Sequence, residues 1–400
     1  MTENCSEYAI AGGGPAGAHL ATRLAAAGRS VLLFDPRGAW EKPCGGGVPA
    51  RAVREFSHLF KDCGRPRNQV YRLTLISPAG KRITLSLKQP FEIYSREVLN
   101  RLLLDRALSA GARFVQTSVT GFLRQNGEWR ITTNGREEWR ARVLVGADGA
   151  GSFLRRRLVG IFPVRDVSIA FGYNVEDSKV RRESEDPDEV IIKFPTKLTG
   201  YLWAFPRTDV INFGVISKLG EKTSDELRGL LVNFVRDHFG GRLPEPGRMK
   251  FFGAKIPTLA LPSWSDLKST GEGWALIGDA AGFADPITGE GIYYALKSSD
   301  LLADALVGED GNLPARNYEE ALARYERSWR KEFGRDLEQA SSRLQQFYHG
   351  RFFGHAISDA VVRLARTHKG VRIVLERALM GEQSYSTLKR DLLRRAFQVF

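Results

Sequence analysis

The chain has 400 residues, 42% hydrophobic and 26% charged, which is enough for two domains and a large core. Its net charge of +13, with histidine neutral, suits a dispersed basic surface, an anionic membrane surface or a phosphorylated ligand. No nucleic-acid module and no aromatic–basic alternation accompanies that charge, so nucleic acid is not an expected partner.

The segment EYAIAG predicts a short apolar strand, GPAGAHLATRLAAAG an alanine-rich helix, and SVLLFD a second strand ending in Asp35. Together they form the β-α-β opening of a nucleotide-binding fold. VYRLTLIS and KRITLSL predict a hairpin turned at Pro78, Ala79 and Gly80. SREVLNRLLLDRALSAG predicts a helix with Val98, Leu102, Leu103 and Leu108 on one face, and RFVQTSVTGFLRQNGEWRITTN and ARVLVGADG predict strands. From about Asp166 to Lys255 the pattern is strand-rich: VIIKFP, GYLWAFP and VINFGVIS predict neighbouring strands, interrupted by one helix from about Ser224 to Phe239. The apolar strand GWALIGD follows, then a helix starting near Glu290, and from about Pro314 the pattern is helical almost to the end. There is no internal repeat and no low-complexity linker. No apolar run approaches the length of a membrane span, and MTENCSEYAIAGGG lacks the pattern of an export signal. Cys5, Cys44 and Cys63 are few, odd in number and without metal-ligand spacing, and the six histidines form no metal or triad pattern. A reducing compartment, the cytoplasm, is the expected location.

Gly12, Gly14 and Gly17 form G-x-G-x-x-G at a strand-to-helix junction. Such glycines allow a tight turn, close approach to a pyrophosphate, and close packing of helix on strand, while the helix N-terminus offers unpaired N–H groups to phosphate. Asp35 is placed to accept hydrogen bonds from a ribose diol. Far along the chain, WALIGDAAGFADPITGEGI places Gly278 and Asp279 after a strand, then Pro286, then Gly289, Glu290, Gly291 and Ile292 opening a helix. This resembles the second signature of FAD-dependent oxidoreductases of the glutathione-reductase type and their hydroxylase relatives. The resemblance implies that the aspartate meets the ribityl chain and that the helix N-terminus faces the flavin pyrimidine edge, where reduced flavin is anionic. Asp148, Gly149, Ser152 and Arg155 resemble the DG motif of the hydroxylase-like flavoproteins, near the pyrophosphate. Arg96 matches an arginine that those proteins place by the flavin; a solvated arginine is the plainer reading.

The segment EKPCGGGVP, Glu41 to Pro49, sets a thiol beside three consecutive glycines. It follows the second strand, where glycines let backbone pass a planar ring. With YLWAFP, Tyr201 to Pro206, it makes the sequence resemble the geranylgeranyl reductase family of flavoproteins, up to about residue 310. Leu198 stands where that family often has proline, and the C-terminal helices match only in general character. The resemblance implies a Rossmann-like α/β FAD-binding domain with an inserted antiparallel β-sheet substrate domain and a helical C-terminal region. The expected boundaries are 1–165 and 256–310 for a discontinuous FAD-binding domain carrying an inserted hairpin near 70–90. Residues 166–255 form the substrate domain, and 311–400 the helical region.

It also implies hydrogenation of isolated prenyl C=C bonds by reduced FAD, on a prenyl lipid or prenyl diphosphate. An unactivated alkene offers no polar handle, so its pocket must be long and apolar. Tyr201, Trp203 and Phe205 alternate on a strand and project from one face, either as walls of such a pocket or as ordinary core. The expected FAD-binding set is Gly12, Gly14, Gly17, Asp35, Cys44, Gly45, Gly46, Arg96, Asp148, Gly149, Gly278, Asp279, Pro286, Gly289, Gly291 and Ile292. Cys44 reads as a modulator beside the flavin or as a small buried side chain. No residue declares itself the proton donor. No second G-x-G-x-x-G is present, so NADPH visiting transiently, or another electron carrier, would reduce the flavin. The tail, ending LKRDLLRRAFQVF, reads either as a basic amphipathic surface for anionic membrane or as helices packed on the body with snorkelling arginines. The competing readings are an FAD monooxygenase or halogenase, a non-redox flavoprotein cyclase, and a non-catalytic prenyl-binding protein.

Overall fold

A computed structural model describes residues 4–396, apart from 62, 136, 177–187, 308–316 and 353–354. The expected boundary near residue 310 and the last four residues of the basic tail lie outside these.

The chain opens with β1 (Cys5–Ala11), α1 (Pro15–Ala26) and β2 (Val31–Phe34), with β1 and β2 parallel. A two-residue strand β3 (Gly47–Val48) and the short helices α2 (Ala50–Glu55) and α3 (Ser57–Phe60) lead to the hairpin β4 (Asn68–Ile76) and β5 (Arg82–Ile93). Helix α4 (Arg96–Ser109) follows, its first turn capped by the Ser95 hydroxyl. Then come β6 (Arg113–Val115), β7 (Val119–Gln125), β8 (Glu128–Thr133), β9 (Glu138–Gly146) and α5 (Phe153–Leu158). The first sheet runs β6-β2-β1-β9, parallel throughout, with the β7–β8 hairpin folded against the start of β9. Its core is the apolar run of β1 and β2 (Tyr8, Ile10, Leu33 and Phe34 are fully or almost fully buried) under Leu20 and Leu24 of α1.

The second sheet comprises β10 (Val167–Glu176), β11 (Glu189–Lys193), β12 (Gly200–Pro206), β13 (Val210–Lys218) and β14 (Met249–Pro257), with α6 (Ser224–His238) on one face. A capping box between Thr223 and Glu226 starts α6. The strand order is β14-β10-β13-β12-β11-β4-β5-β3. The hairpin expected as an insertion in the nucleotide-binding part therefore hydrogen-bonds into this sheet, through a parallel pairing of β4 with β11. Every other pairing in the sheet is antiparallel. The physical reason is burial: Leu73 and Leu75 of the hairpin and Val190 of β11 are buried together in one apolar cluster there.

The chain then returns to the first sheet with β15 (Thr270–Gly271) and β16 (Trp274–Leu276), and β16 pairs with β9. Helix α7 (Ile292–Val307) packs on α1, and α8 (Tyr318–Trp329) on α7. Helices α9 (Arg335–His349), α10 (Ile357–Thr367), α11 (Lys369–Leu379) and α12 (Tyr385–Ala396) complete the chain. Val362 and Ala365 of α10 and Val371 of α11 share a core with Leu73 and Leu85 of the hairpin, so these helices pack on the body through their apolar faces. Of the face expected on α4, Leu102 and Leu103 are buried and Val98 packs partly buried on the core, whereas Leu108 is 44% exposed and Leu99 and Ala107 are buried instead.

Candidate active site

A cavity of about 290 Å3 opens at the C-terminal ends of β1 and β9 and extends under the face of the second sheet. This is where ligands sit in parallel α/β sheets. One wall is glycine-rich and polar: Gly14, Lys42, Cys44, Gly45, Gly46, Arg96, Gly149, Asp279, Gly289, Gly291 and Ile292. The opposite wall is apolar, with Phe91, Phe194, Tyr201, Trp203, Phe205 and Phe252 among its members. Helix α9 contributes Phe347 and Tyr348, and α11 contributes Leu379.

The glycines of the first motif divide by role. A Cβ on Gly17 would lie 1.9 Å from the carbonyl oxygen of Gly12, and one on Gly12 would lie 2.3 Å from that of Ala147. Both positions hold helix and strands in contact. Gly14 has nothing within 4 Å of an added Cβ and faces the cavity. No side chain caps α1, so its first-turn N–H groups are left for a ligand.

Of the expected set, Gly12, Gly17, Asp35, Asp148, Gly278 and Pro286 do not line the cavity. Asp35 holds the glycine loop: its carboxylate accepts from Gly13 N (2.8 Å), Arg37 N (2.8 Å) and Gly38 N (2.9 Å). Asp148 is turned to the start of α5, accepting from the Ser152 hydroxyl and from Phe153 N (2.7 Å). Its part in the DG motif is thus local: the acid caps, and Gly149 faces the ligand space. Gly278 lets its loop pass between α1 and α7, where an added Cβ would meet Ala16 Cβ at 3.1 Å and Ala295 Cβ at 3.4 Å.

Arg96 is buried, not solvated; its Nη2 reaches Asn100 at 3.4 Å, and its Nε has no hydrogen-bond partner among the described residues. A buried guanidinium with an unused donor at a cavity wall fits an acceptor-rich ligand. With the open Gly14, the uncapped α1 and the glycines beside Asp279, the residues present fit FAD along this wall.

The cysteine loop is pinned by Arg207, which lies outside the motifs, and by Glu41, which opens the EKPCGGGVP stretch but had no role assigned. Arg207, 3% exposed, follows directly on the YLWAFP strand. It donates to Glu41 Oε1 (2.7 Å) and to the carbonyl of Cys44 (2.7 Å). Glu41 also accepts from the Ser95 hydroxyl and from Arg96 N (3.2 Å) at the start of α4. Burial alone would raise the Glu41 pKa; the Arg207 charge and these hydrogen bonds outweigh it and hold the carboxyl below its ordinary value. Adjacency to YLWAFP is the signal that would have found Arg207, and membership of the cysteine stretch the one that would have found Glu41. Cys44 Sγ accepts from Gly46 N (3.3 Å), and Gly45 packs on the aromatic strand, where an added Cβ would be 2.9 Å from the Phe205 ring. Tyr201, Trp203 and Phe205 stand in file, with centroids 6.0 and 6.2 Å apart. The loop and the aromatic strand thus meet at one place.

Three carboxylates line the cavity, and they differ. Asp279 pairs with Lys42 (3.2 Å). Asp285 accepts from Ile287 N (2.8 Å), Thr288 N (3.0 Å) and the Tyr385 hydroxyl (2.8 Å). Glu290 accepts from Tyr293 N (2.7 Å) and has no cation within ion-pair distance among the described residues. Burial raises its pKa to about 7, with the Asp285 charge adding to the rise and Arg51 opposing it. Among the described residues no group of His, Cys, Asp or Glu is placed to hold a metal ion.

A glycine-walled cleft at the ends of parallel strands, facing an aromatic sheet, defines a flavoprotein. The FAD binding domain family matches residues 6–338. Geranylgeranyl diphosphate reductase of Rhodobacter capsulatus is 30% identical over 309 residues, covering 74% of this chain and 73% of that protein. Digeranylgeranylglycerophospholipid reductase of Methanoculleus marisnigri is 29% identical, covering 82% of each. A geranylgeranyl bacteriochlorophyll reductase-like protein of Thermoplasma acidophilum shares the fold with a TM-score of 0.76 at 22% identity, over 99% of this chain and 97% of its own. The chain belongs to the geranylgeranyl reductase family of FAD-dependent oxidoreductases.

Proposed function

We propose that the protein saturates C=C bonds of a prenyl chain carried on a lipid or a diphosphate. The observation that carries this reading is the cavity itself, whose glycine-rich wall and apolar aromatic wall face each other across a space that the C-terminal helices also line. Bound FAD, once reduced, supplies hydride. The chain's own residues do the rest: Tyr201, Trp203 and Phe205 hold the alkene in an apolar slot, and the pinned Cys44 loop sets the depth of that slot. In this reading residues 1–165 and 256–310 carry the cofactor, 166–255 with the hairpin face the substrate, and 311–400 close the far side. Electrons arrive from NADPH binding transiently or from another carrier.

No helix among the described residues is long and apolar enough to cross a membrane. Leu364 (39% exposed) and Leu393 (52% exposed) remain outward on α10 and α12, among Arg363, Arg366, Arg390 and Arg394. That supports collection of substrate at an anionic lipid surface.

The deciding experiment reduces the yellow protein anaerobically and offers it prenyl diphosphates and prenylated lipids. The expected result is flavin reoxidation with a product heavier by two hydrogens. Reoxidation only by oxygen, with substrate unchanged in mass, overturns the reading.

A further inference from the structure

Saturating an alkene requires two hydrogens of different origin, and among the cavity's three carboxyl groups one is least committed to other partners and so best placed for the second. Lys42 neutralises Asp279, and three donors commit Asp285. Glu290 stands apart. It sits between Gly289 and Gly291 at the mouth of α7, lines the cavity, and is held at one oxygen by the Tyr293 N–H (2.7 Å).

Its surroundings place it at the meeting point of loop and strand. The Tyr201 hydroxyl donates to the carbonyl of Thr288, two residues before Glu290. Burial raises the pKa of the Tyr201 phenol, and the charges of Asp285, Cys44 and Glu290 add to that rise, so these groups share one neighbourhood. The charged and titratable groups facing Glu290 are Arg51 from α2, Tyr201 from β12, Tyr294 from α7 and Asp285 from its own loop. The Tyr293 and Ile292 N–H groups and Arg51 favour the ionised form, but burial outweighs them, and the Arg51 guanidinium is itself engaged over the Tyr293 ring (4.0 Å) and with Glu55 (3.0 Å). Glu290 is therefore surrounded by protein yet lines the cavity, and burial brings its carboxyl to a pKa of about 7, where it can both hold and give up a proton.

We propose that Glu290 donates the proton to the alkene carbon that does not receive the hydride. This rests on the prenyl-reductase reading above. The π bond breaks and two C–H bonds form. Positive charge builds on the more substituted carbon, which takes the hydride with both electrons, while the less substituted carbon takes the Glu290 proton. The flavin ends oxidised, and the Glu290 carboxylate recovers a proton from solvent. A carboxylic acid with a pKa near the working pH is suited to this task.

The test uses FAD-loaded protein together with Glu290→Gln and Glu290→Asp. With prenyl diphosphate as acceptor, the wild-type rate should fall as pH rises through about 7. Glu290→Gln should be slower by roughly 10²-fold with that pH dependence gone, and Glu290→Asp should retain part of the rate. Independently of turnover, infrared difference spectra of the unreduced protein between pH 5 and pH 9 should show a protonated-carboxyl band that Glu290→Gln lacks. FAD content of each variant, read from its visible spectrum, separates loss of folding from loss of proton delivery. If the wild type reduces the alkene and Glu290→Gln does so at the same rate with the same profile, the proposal fails and the prenyl reading stands. If the wild type reduces no alkene, both fail. Absence of the carboxyl band overturns the proposal whatever the rates.

Discussion

At Gly17 there is room for a hydrogen and nothing more, since a methyl group would fall 1.9 Å from the Gly12 carbonyl oxygen, which is backbone and cannot yield. Gly17→Ala should therefore push α1 off the end of β1 and give protein that purifies colourless, which an absorbance ratio at 450 and 280 nm (about the flavin and protein maxima) checks. Cys44 differs: its thiol accepts a hydrogen bond from Gly46 N, a single weak contact among the described residues. Cys44→Ala should keep its FAD and change turnover severalfold, and an unchanged rate would remove the thiol from the mechanism. The glycines and the cysteine were legible in the sequence because their meaning is local, set by turn geometry and spacing. Glu290 was read only as part of a glycine-flanked helix start. Its raised pKa comes from burial under the assembled fold and from the Asp285 charge, against Arg51 brought from α2, and no local pattern records that balance.

Between elements, the decisive connection is Arg207. It joins the end of β12, the carbonyl of Cys44 and, through Glu41, the first turn of α4. The end of β12 and the Cys44 loop are thus tied directly to each other. Arg207→Gln leaves Glu41 with only its Ser95 and backbone donors. It should cost about 2 kcal/mol, less than a fully buried pair because Glu41 is partly solvated. Urea unfolding checks the stability, and the apparent affinity for substrate should weaken more than the affinity for FAD. The strand Tyr201 to Pro206 was recognisable from its alternation, and the helix Ser224–His238 from its period and capping residues. The tether was not, because an arginine after a strand and a glutamate before a glycine loop look like surface charges until the fold buries one against the other.

Over the whole molecule, the charge of +13 and the outward leucines of α10 and α12 point the same way. Binding to vesicles with about one-third anionic lipid should be measurable by sedimentation at low salt. It should fall several-fold at about 0.5 M NaCl, where screening shortens to a few ångströms. Binding that ignores salt and lipid charge would sink the membrane argument. The α/β class and the return of the chain to the first sheet could be read from strand and helix order. The place of the hairpin could not: the pattern of Asn68–Ile76 specifies a half-buried strand but not its neighbour.

That neighbour has a consequence for anyone dividing the chain. β11 is bordered by β12 on one side and by β4 on the other, and β4 lies more than a hundred positions earlier. A fragment cut to residues 166–255 would bare the flank of Ile191 and Ile192, an unpaired row of backbone donors and acceptors ready to recruit a second copy. Such a piece would self-associate, whereas one that also supplies the segment from Asn68 to Ile93 would have its border sealed.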